Sequence, residues 1–593
     1  MQLRPDLVEP QLGLFKLYGF LIRHGDTQQV ISWLAQQNND HARYFIGEAL
    51  RRGKKLAAAD SVLHFLLTRP LAIPTPPVYL SLAKIYYRLD LPVNAEQCYW
   101  EAVNEIQNQL GADLVFEEIK YLISDDELGQ YCRLASIAAW QDFFRTFWLR
   151  HNPLSSTIYN FRLAEHFKRL LTAEENYEFD GFRTWFNNPD KYHILRFPQA
   201  YKLNQELNDK GMIYIRLGEP SETETTIGEN IPTNESWLYK RSQTTPEMTF
   251  HFVKENAAGN NWRFIPYLTD PEMLEDRMQW DPNYNQMLQA EPTEQLMLQQ
   301  KMAAESKASV MAGLTTERQT WTKDFATFDM PFSCSTFRGE QGNTLVELYY
   351  AIPKALLSKI STDYHQPITL ASGMAVYDWN WRQVFKDNLT FEFPQVTATT
   401  TDWLDLYHLS VLPDSYHVAI HASVNNGNLL GGYQFDYKLD DYNKPELALS
   451  DLLLAETIEP TTNDSKFIKN GLKILPSPTR LFSLSKPVYI YFEIYQLQPN
   501  EQNQTSFSIE YKLACRKLHR RGMQKLFGFL SKNEQSSVSI QYDREGTTEK
   551  SVEYLAIDVS RLQAGDYDLT ITISDRQHSN KSTQKTTHLT LFK

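Results

Sequence analysis

The apolar residues of this chain change their spacing partway along it, and that change limits the fold more than any single motif. Early segments place apolar residues three and four apart, as one face of a helix requires. From Thr344 onward the period is two: Thr344–Ile352, Ile368–Trp379, Tyr416–Ala422 and Gly432–Leu439 alternate and are split by Pro, Gly, Asn and Asp. The alternation resumes in Val488–Leu497, Ser506–Leu513, Val538–Tyr542, Tyr554–Val559, Tyr567–Ser574 and Thr587–Phe592. With 593 residues the chain is too long for one core, so roughly three to five domains are expected, helical first and strand-rich last.

Residues 1–135 read as helical hairpins. In Val78–Gln107, the residues Tyr79, Leu82, Ala83, Tyr86, Ala95, Tyr99 and Ala102 fall on seven signature positions of a tetratricopeptide repeat, counted without a gap. Small Ala83 and Ala95 let antiparallel helices approach, and tyrosines fill the grooves beside them. A weaker copy upstream carries Gly47, Leu50, Ala59 and Leu63, with Pro70 near its end. A short helical array of this kind is usually an interaction surface. With Tyr79, Leu82, Ala83 and Tyr86 assigned to packing, Ser81, Lys84 and Arg88 form one remaining stripe, the expected contact surface. The alternative is that the hairpins brace the next domain.

Residues 136–270 read as an α+β domain. Trp140, Phe143, Phe144, Phe147 and Trp148 make one helix face wholly aromatic. The turn Arg150-His151-Asn152-Pro153 follows, and Ser155, Ser156 or Thr157 is expected to cap a helix carrying Phe161, Arg162, Glu165 and Arg169. Asp209-Lys210-Gly211 reads as a tight turn, Met212–Leu217 as a buried strand, and Gly218 and Pro220 as its end. Glu235-Ser236-Trp237-Leu238-Tyr239 and the alternating run Met248–Val253 come next. Together these elements resemble the GWxTD domain found in envelope-associated proteins of Bacteroidetes-like bacteria. In place of that family's Gly-Trp-x-Thr-Asp motif this chain has Gln205-Glu206-Leu207-Asn208-Asp209, so only the Asp and the following basic-Gly pair match. The resemblance implies no settled activity, an exported protein of the periplasm or cell envelope, and a possible envelope complex. It extends to Asn470–Pro476 and the Tyr/Phe-rich run Val488–Tyr495. Met1–Asp6 lacks the charged-then-apolar profile of a signal peptide.

Residues 271–321 are polar and mostly helix-compatible, and read as a connector on a domain surface. Residues 322–445 and 446–593 then read as two immunoglobulin-like β-sandwiches. The steps Leu412-Pro413-Asp414-Ser415-Tyr416 and Leu562-Gln563-Ala564-Gly565-Asp566-Tyr567 each have the look of a tyrosine corner.

Chemistry is sparse. A net charge of -13 repels phosphate backbones, so no nucleic-acid partner is expected. The one basic cluster, Arg516-Lys517-Leu518-His519-Arg520-Arg521, reads as a solvated loop or an anionic contact. The four cysteines have no metal-ligand spacing, and Cys98 and Cys132 read as buried thiols. His417 and His421 share one strand face with no third ligand in view, which leaves solvent-facing histidines. Asp440-Asp441 and Asn463-Asp464 lack calcium-loop spacing. No nucleotide-binding or hydrolase motif is present, no apolar run reaches membrane-spanning length, and neither cofactor nor metal is expected. Arg216, Glu219, Glu235 and Trp237 flank the central element and could line a polar pocket.

The reading that follows is a non-catalytic scaffold or binding protein acting through other proteins. The alternatives are an enzyme with a pocket between the helical region and the central strand, and a carbohydrate-binding protein using Trp379, Trp381 or Trp403.

Overall fold

The computed structural model describes residues 8–593 apart from 38, 180–197, 243–244, 255–258, 320–325, 358–367, 394–401, 425–428, 463–464, 520–537 and 578–580. Asn463-Asp464, Trp321, Arg520-Arg521 and the N-terminal Met1–Asp6 therefore lie outside the described residues. The chain divides into two compact units, residues 1–324 and 325–593. The first is helical with one small sheet, the second is built of strands, and the helix-then-strand order follows the change of period.

The first unit opens with antiparallel helical pairs. Asp40–Arg52 pairs with Leu56–Leu67, and Pro76–Arg88 with Pro92–Asn104. The small residues sit where close approach needs them. Ala59, Ala83 and Ala95 are fully buried, and a Cβ on Gly47 would stand 2.9 Å from the Leu63 side chain. The aromatic helix Ile137–His151 buries Trp140, Phe144, Phe147 and Trp148, and the Trp148 indole N–H donates to the Tyr99 hydroxyl at 2.7 Å. The next helix, Phe161–Asn176, is capped by Asn160, whose Oδ1 accepts from Leu163 N at 2.9 Å. None of Ser155, Ser156 or Thr157 is that cap.

The expected strand Met212–Leu217 is a helix, Asp209–Leu217, with all nine residues buried. A short apolar run buried on every side has no period by which to tell the two apart. The deciding residues lie at its ends. Asn208 Oδ1 accepts from Gly211 N at 3.1 Å, which is N-cap geometry. Gly218, at φ +74°, stops the helix, and a Cβ there would lie 2.9–3.1 Å from the Arg169 guanidinium. This central helix packs on Phe161–Asn176 and on the strand Trp262–Phe264. That strand closes an antiparallel four-stranded sheet with Glu222–Glu224, Asn234–Tyr239 and Met248–Lys254.

The expected connector is helical but is not confined to a surface. Its last helix, Pro292–Thr315, brings Val310 and Leu314 into the main core beside Ile213 and Phe250. That core runs without a break from Leu80 and Ala83 through Trp148 and Met212 to Leu314. The second hairpin and the α+β region thus share one interior.

The second unit is four layers of sheet. A five-stranded sheet (in spatial order Ala326–Thr327, Leu429–Lys438, Ser415–Val424, Ile368–Asp378, Gln383–Phe393) faces a three-stranded one (Trp403–Val411, Thr344–Ile352, Phe332–Arg338). Between them lie Leu348, Tyr350, Leu370, Met374, Val418 and Ile420. The other face of the three-stranded sheet, with Phe337 and Tyr349, packs on Leu453, Ala455, Ile474 and Tyr491 of a six-stranded sheet. The far side of that sheet covers a second five-stranded sheet across Ile490, Phe492, Ile509, Leu569 and Ile571. Both tyrosine steps close as expected: Tyr416 donates to Leu412 O at 2.7 Å and Tyr567 to Gln563 O at 2.9 Å.

Candidate functional site

The stripe expected to meet a partner faces inward. Ser81 is 2% exposed and donates to Pro77 O at 3.0 Å. Lys84 is 9% exposed and its ammonium bonds Glu118 at 2.9 Å and Glu174 at 3.2 Å. Arg88 is half-buried against Glu175. The neighbouring hairpin adds Arg51, which holds Glu48 at 2.9 Å and Glu174 at 3.0 Å. This network joins the hairpins to the helix Phe161–Asn176. Burial pushes the Glu48 carboxyl up, but Arg51 and Lys84 outweigh it and hold it down at about 2. Glu174 is held well below the carboxylate range against the same burial by Arg51, Lys84 and Arg52. Spacing alone puts Tyr79 and Tyr86 in the interior, whereas both are half-buried and the lysine between them goes inside.

The four residues of the expected polar pocket do not converge. Glu219 is exposed. Arg216 is buried and donates to Ile123 O at 3.3 Å. Glu235 and Trp237 do meet, the indole N–H donating to the carboxylate. Their third partner is Lys210, which the sequence reading treated as turn chemistry. Its ammonium is 2.7 Å from Glu235 and 3.2 Å from the centre of a Trp262 ring, with Trp237 and Phe252 at 5.6 and 5.7 Å. Burial pulls this lysine down to about 8, with Glu235 only partly restoring it. No sequence signal separates such a lysine from a turn residue, since its rings come from three separate strands.

A second buried ionic group surrounds Glu317, which accepts from Arg162 at 2.7 Å and pairs with His151 at 3.2 Å. His151 also meets Glu127 at 3.3 Å. Burial lowers the imidazole, but the two glutamates outweigh it and raise it to about 9. Arg169 donates to the carbonyls of Ile215 and Arg216 at 3.2 and 2.8 Å, where the central helix ends. The arginines and acids of this region act as internal fasteners.

The enzyme alternative placed a pocket between the helical region and the central element; across that seam Arg216 donates to Ile123 O at 3.3 Å, and Ile123 and Met212 share one core. A small cavity of about 60 Å³ lies elsewhere in this unit, lined by His251, Tyr284, Asp281 and Glu305 among others. His251 bridges Ser236 at 2.7 Å and Tyr284 at 2.9 Å. The space is well below the ~300 Å³ of an ordinary ligand pocket. Among the described residues no group of three or more His, Cys, Asp or Glu is placed to hold a metal. The four cysteines are free thiols; Cys98 is half-buried, and Cys132 is exposed rather than buried.

Surface features among the described residues include a groove of about 600 Å³ in the sheet unit, lined by Arg480, Arg516, Lys517, Asp566 and His588 among others, and two that bear more directly on recognition. The first is a groove of about 610 Å³ in the helical region, lined by Arg69, the loop Pro70–Pro76, Tyr79, Glu105, Gln107 and Asn108. Asp40 fixes the loop by accepting from Ala72 N at 2.9 Å and pairing with Arg69, and buried Ile73 anchors it in the hairpin core. The groove is on the side of Pro76–Arg88 that carries Tyr79.

The second is the hairpin tip after Ile368–Asp378. His417 and His421 do lie on the outer face of their strand, yet they are only 8% and 3% exposed. His417 is covered by indoles: Trp381 stacks on it at 4.0 Å and 12°, Trp379 at 4.8 Å and 19°. Two near-parallel rings at those distances cannot share one face, so the imidazole lies between them. Its Nδ1 meets Asp436 at 2.6 Å. Asp378 Oδ1 accepts from Asn380 N at 2.8 Å and Arg382 N at 2.9 Å, which fixes the turn. Trp381 sits at φ +63°, which costs a residue with a Cβ on the order of 1 kcal/mol. Trp379 is 57% exposed. Trp403 is instead packed against Tyr350 and Phe391 in the core.

No family model and no curated protein matches the chain. A solved structure titled as the tetra-tandem repeat in the extending region of a large adhesion protein aligns with 11% identity and a TM-score of 0.13. The alignment covers 44% of this chain and 49% of that one, so the chain spans about half the length of the structure it matches. Among the described residues no helix is long and apolar enough to cross a membrane.

Proposed function

We propose that this chain is a non-catalytic recognition protein whose helical region holds a segment of another protein. One observation carries the reading: the 610 Å³ groove beside Tyr79, with its pinned Pro70–Pro76 wall. A preorganised wall lowers the entropy cost of holding an extended segment, and short helical repeats ordinarily present such concave surfaces. The recognition surface thus lies on the Tyr79 side of the hairpin, away from Ser81, Lys84 and Arg88.

The tetratricopeptide, GWxTD-like and immunoglobulin-like identities belong to the same proposal. Supporting the first are the buried alanines of the second hairpin. Supporting the second are the aromatic helix, the Arg/Glu helix after it, and buried Asp209, which accepts from Phe264 N at 3.0 Å and from the Tyr201 hydroxyl at 3.1 Å. The paired sheets and the two tyrosine corners support the third. A place in a bacterial envelope assembly follows from the GWxTD resemblance.

The test is co-purification from native cells with the full chain. Tyr79→Glu with Gln107→Glu should remove a partner that wild type retains, and Arg88→Glu should keep it. Retention of every partner by the groove variant would end the proposal.

A further inference from the structure

We infer that the Trp379–His417–Trp381 stack is a carbohydrate-binding platform that takes the flat C–H face of a pyranose ring on the outer face of Trp379. Four observations converge on it. One face of Trp379 is taken by His417, so its 57% exposure belongs to the other face. The indole is held from behind by a stack of rings, with Tyr377 tilted against Trp381 at 5.9 Å, and the Asp436 contact fixes the imidazole between the indoles. The turn is locked by Asp378 and holds Trp381 at a φ that a glycine would adopt without strain. Exposed polar groups border the platform: Asn380 and Arg382 on the turn, and Asp436 beside His417.

The chemistry fits a sugar. The face of an indole carries negative quadrupole density, and the axial hydrogens of a pyranose are its positive complement. Hydroxyls at the ring edge need donors and acceptors beside the platform, which Asn380, Arg382 and Asp436 supply. An apolar peptide anchor would seek a pocket rather than one flat, rigid face with a polar border. The site is independent of the helical groove, on a different unit of the chain.

The experiment is calorimetric titration of the full chain with cellohexaose, laminarihexaose, xylohexaose, mannohexaose and the hexamer of N-acetylglucosamine. At least one should bind saturably, with Kd on the order of 0.01–1 mM. Trp379→Ala should weaken that binding by about tenfold or more, and Trp379→Tyr, which keeps a flat ring, should stay within about threefold of wild type. His417→Ala should fall between them, because it removes the backing without removing the face. Trp379 is exposed, so an unchanged melting temperature should accompany Trp379→Ala and separate lost binding from lost fold. Saturable binding by none of the five sugars, or equal binding by wild type and Trp379→Ala, overturns the inference. A photo-crosslinker at Asn380 that captures a protein in wild type but not in Trp379→Ala would also overturn it, and would make the tip a protein contact.

Discussion

The two units treat buried charge in opposite ways. The helical unit buries Arg51, Lys84, Lys120, Arg162, Arg169, Lys210, Arg216, Arg263 and Arg277, whereas among the described residues the sheet unit buries no lysine or arginine. Arg51, Lys84, Lys120, Arg162 and Lys210 pair with carboxylates of other segments, and for several of the remaining cations the reason is where each kind of element leaves its backbone unsatisfied. A helix ends with carbonyls that have no partner within it, and a long cation can reach them, as Arg169 reaches Ile215 and Arg216 and as Arg277 reaches Met273 at 3.0 Å. A sheet pairs its carbonyls in the ladder. The seams of the sheet unit accordingly use apolar side chains and tyrosine hydroxyls, such as Tyr495 donating to buried Glu493 at 2.9 Å and Tyr350 to Ser372 at 2.7 Å. The first unit should therefore be sensitive to charge, and the second to shape.

The largest expected effect is Lys84→Glu. It replaces a buried cation with an anion beside Glu118 and Glu174, takes from Glu118 the cation it pairs with and leaves Glu174 to Arg51, a loss of about 3–5 kcal/mol or more. Hydrogen exchange should show the whole Leu80–Leu314 core opening while the sheet unit keeps its protection. If Lys84→Glu changes stability by less than ~0.5 kcal/mol, as an exposed site would, the buried network is wrong.

Acid should break the comparison open next. Glu48, Glu127 and Glu206 are held at about 2 in spite of burial, by Arg51, by His151 and Ser124, and by Lys120 respectively. Their folded values lie below the unfolded ones, so their stabilisation is present above about pH 4.3 and is lost as pH falls towards 2. Burial also keeps His166 and His251 neutral at about 3, so each costs stability as pH falls below about 6.5, by about 1.4 kcal/mol per pH unit. In the sheet unit His421, at about 4 by burial, acts the same way, and buried Glu493 is held below its ordinary value, against burial, chiefly by Lys550 and Tyr491. His151, raised to about 9, opposes the trend: its stabilisation is complete below about pH 6.5 and is lost as pH rises through 9. Pepsin applied between pH 5 and 3 should cut the helical unit first. Simultaneous cutting of both units would contradict the division.

The smallest effect sharpens the sheet side. Tyr567→Phe removes one hydrogen bond to Gln563 and should cost about 1 kcal/mol, and Tyr567→Ala should cost several more through the cavity. Both losses should be confined to the sheet unit in hydrogen exchange. Unchanged melting with either variant would mean that the corner carries no load.

These contrasts bear on what the sequence could disclose. The strands were legible from their alternation and from the turn residues that bound them: Thr344–Ile352, although covered on both faces, matched end for end, and most others to within a few residues. Gln383–Phe393 and Trp403–Val411 went unread because their acids and polar residues interrupt the alternation. The helical hairpins were legible in Ala83 and Ala95. The central helix was not, since burial on all sides removes the period and only Asn208 and Gly218 mark its ends. Lys84 was misplaced for a related reason: spacing assigns a residue to a stripe, but the stripe's neighbour, here Glu174 some 90 residues away, is a property of the fold. The groove has no local signature, because its walls come from the loop after the first hairpin and the turn after the second. The aromatic tip was half legible: Trp379 and Trp381 were visible in the sequence, but their shared partner His417 lies on Ser415–Val424, a neighbour in the sheet and not in the sequence.

Recognition, as proposed, lies in the groove beside Tyr79. The most direct measurement places a photo-crosslinking residue at Gln107, which is exposed in the groove lining, and at Asn94, which is exposed on the same hairpin outside it. In native cells the Gln107 probe should give one discrete adduct whose mapped attachment falls in an extended segment of a partner protein, and the Asn94 probe should give none. Equal adducts from both positions, or none from Gln107, would contradict the claim.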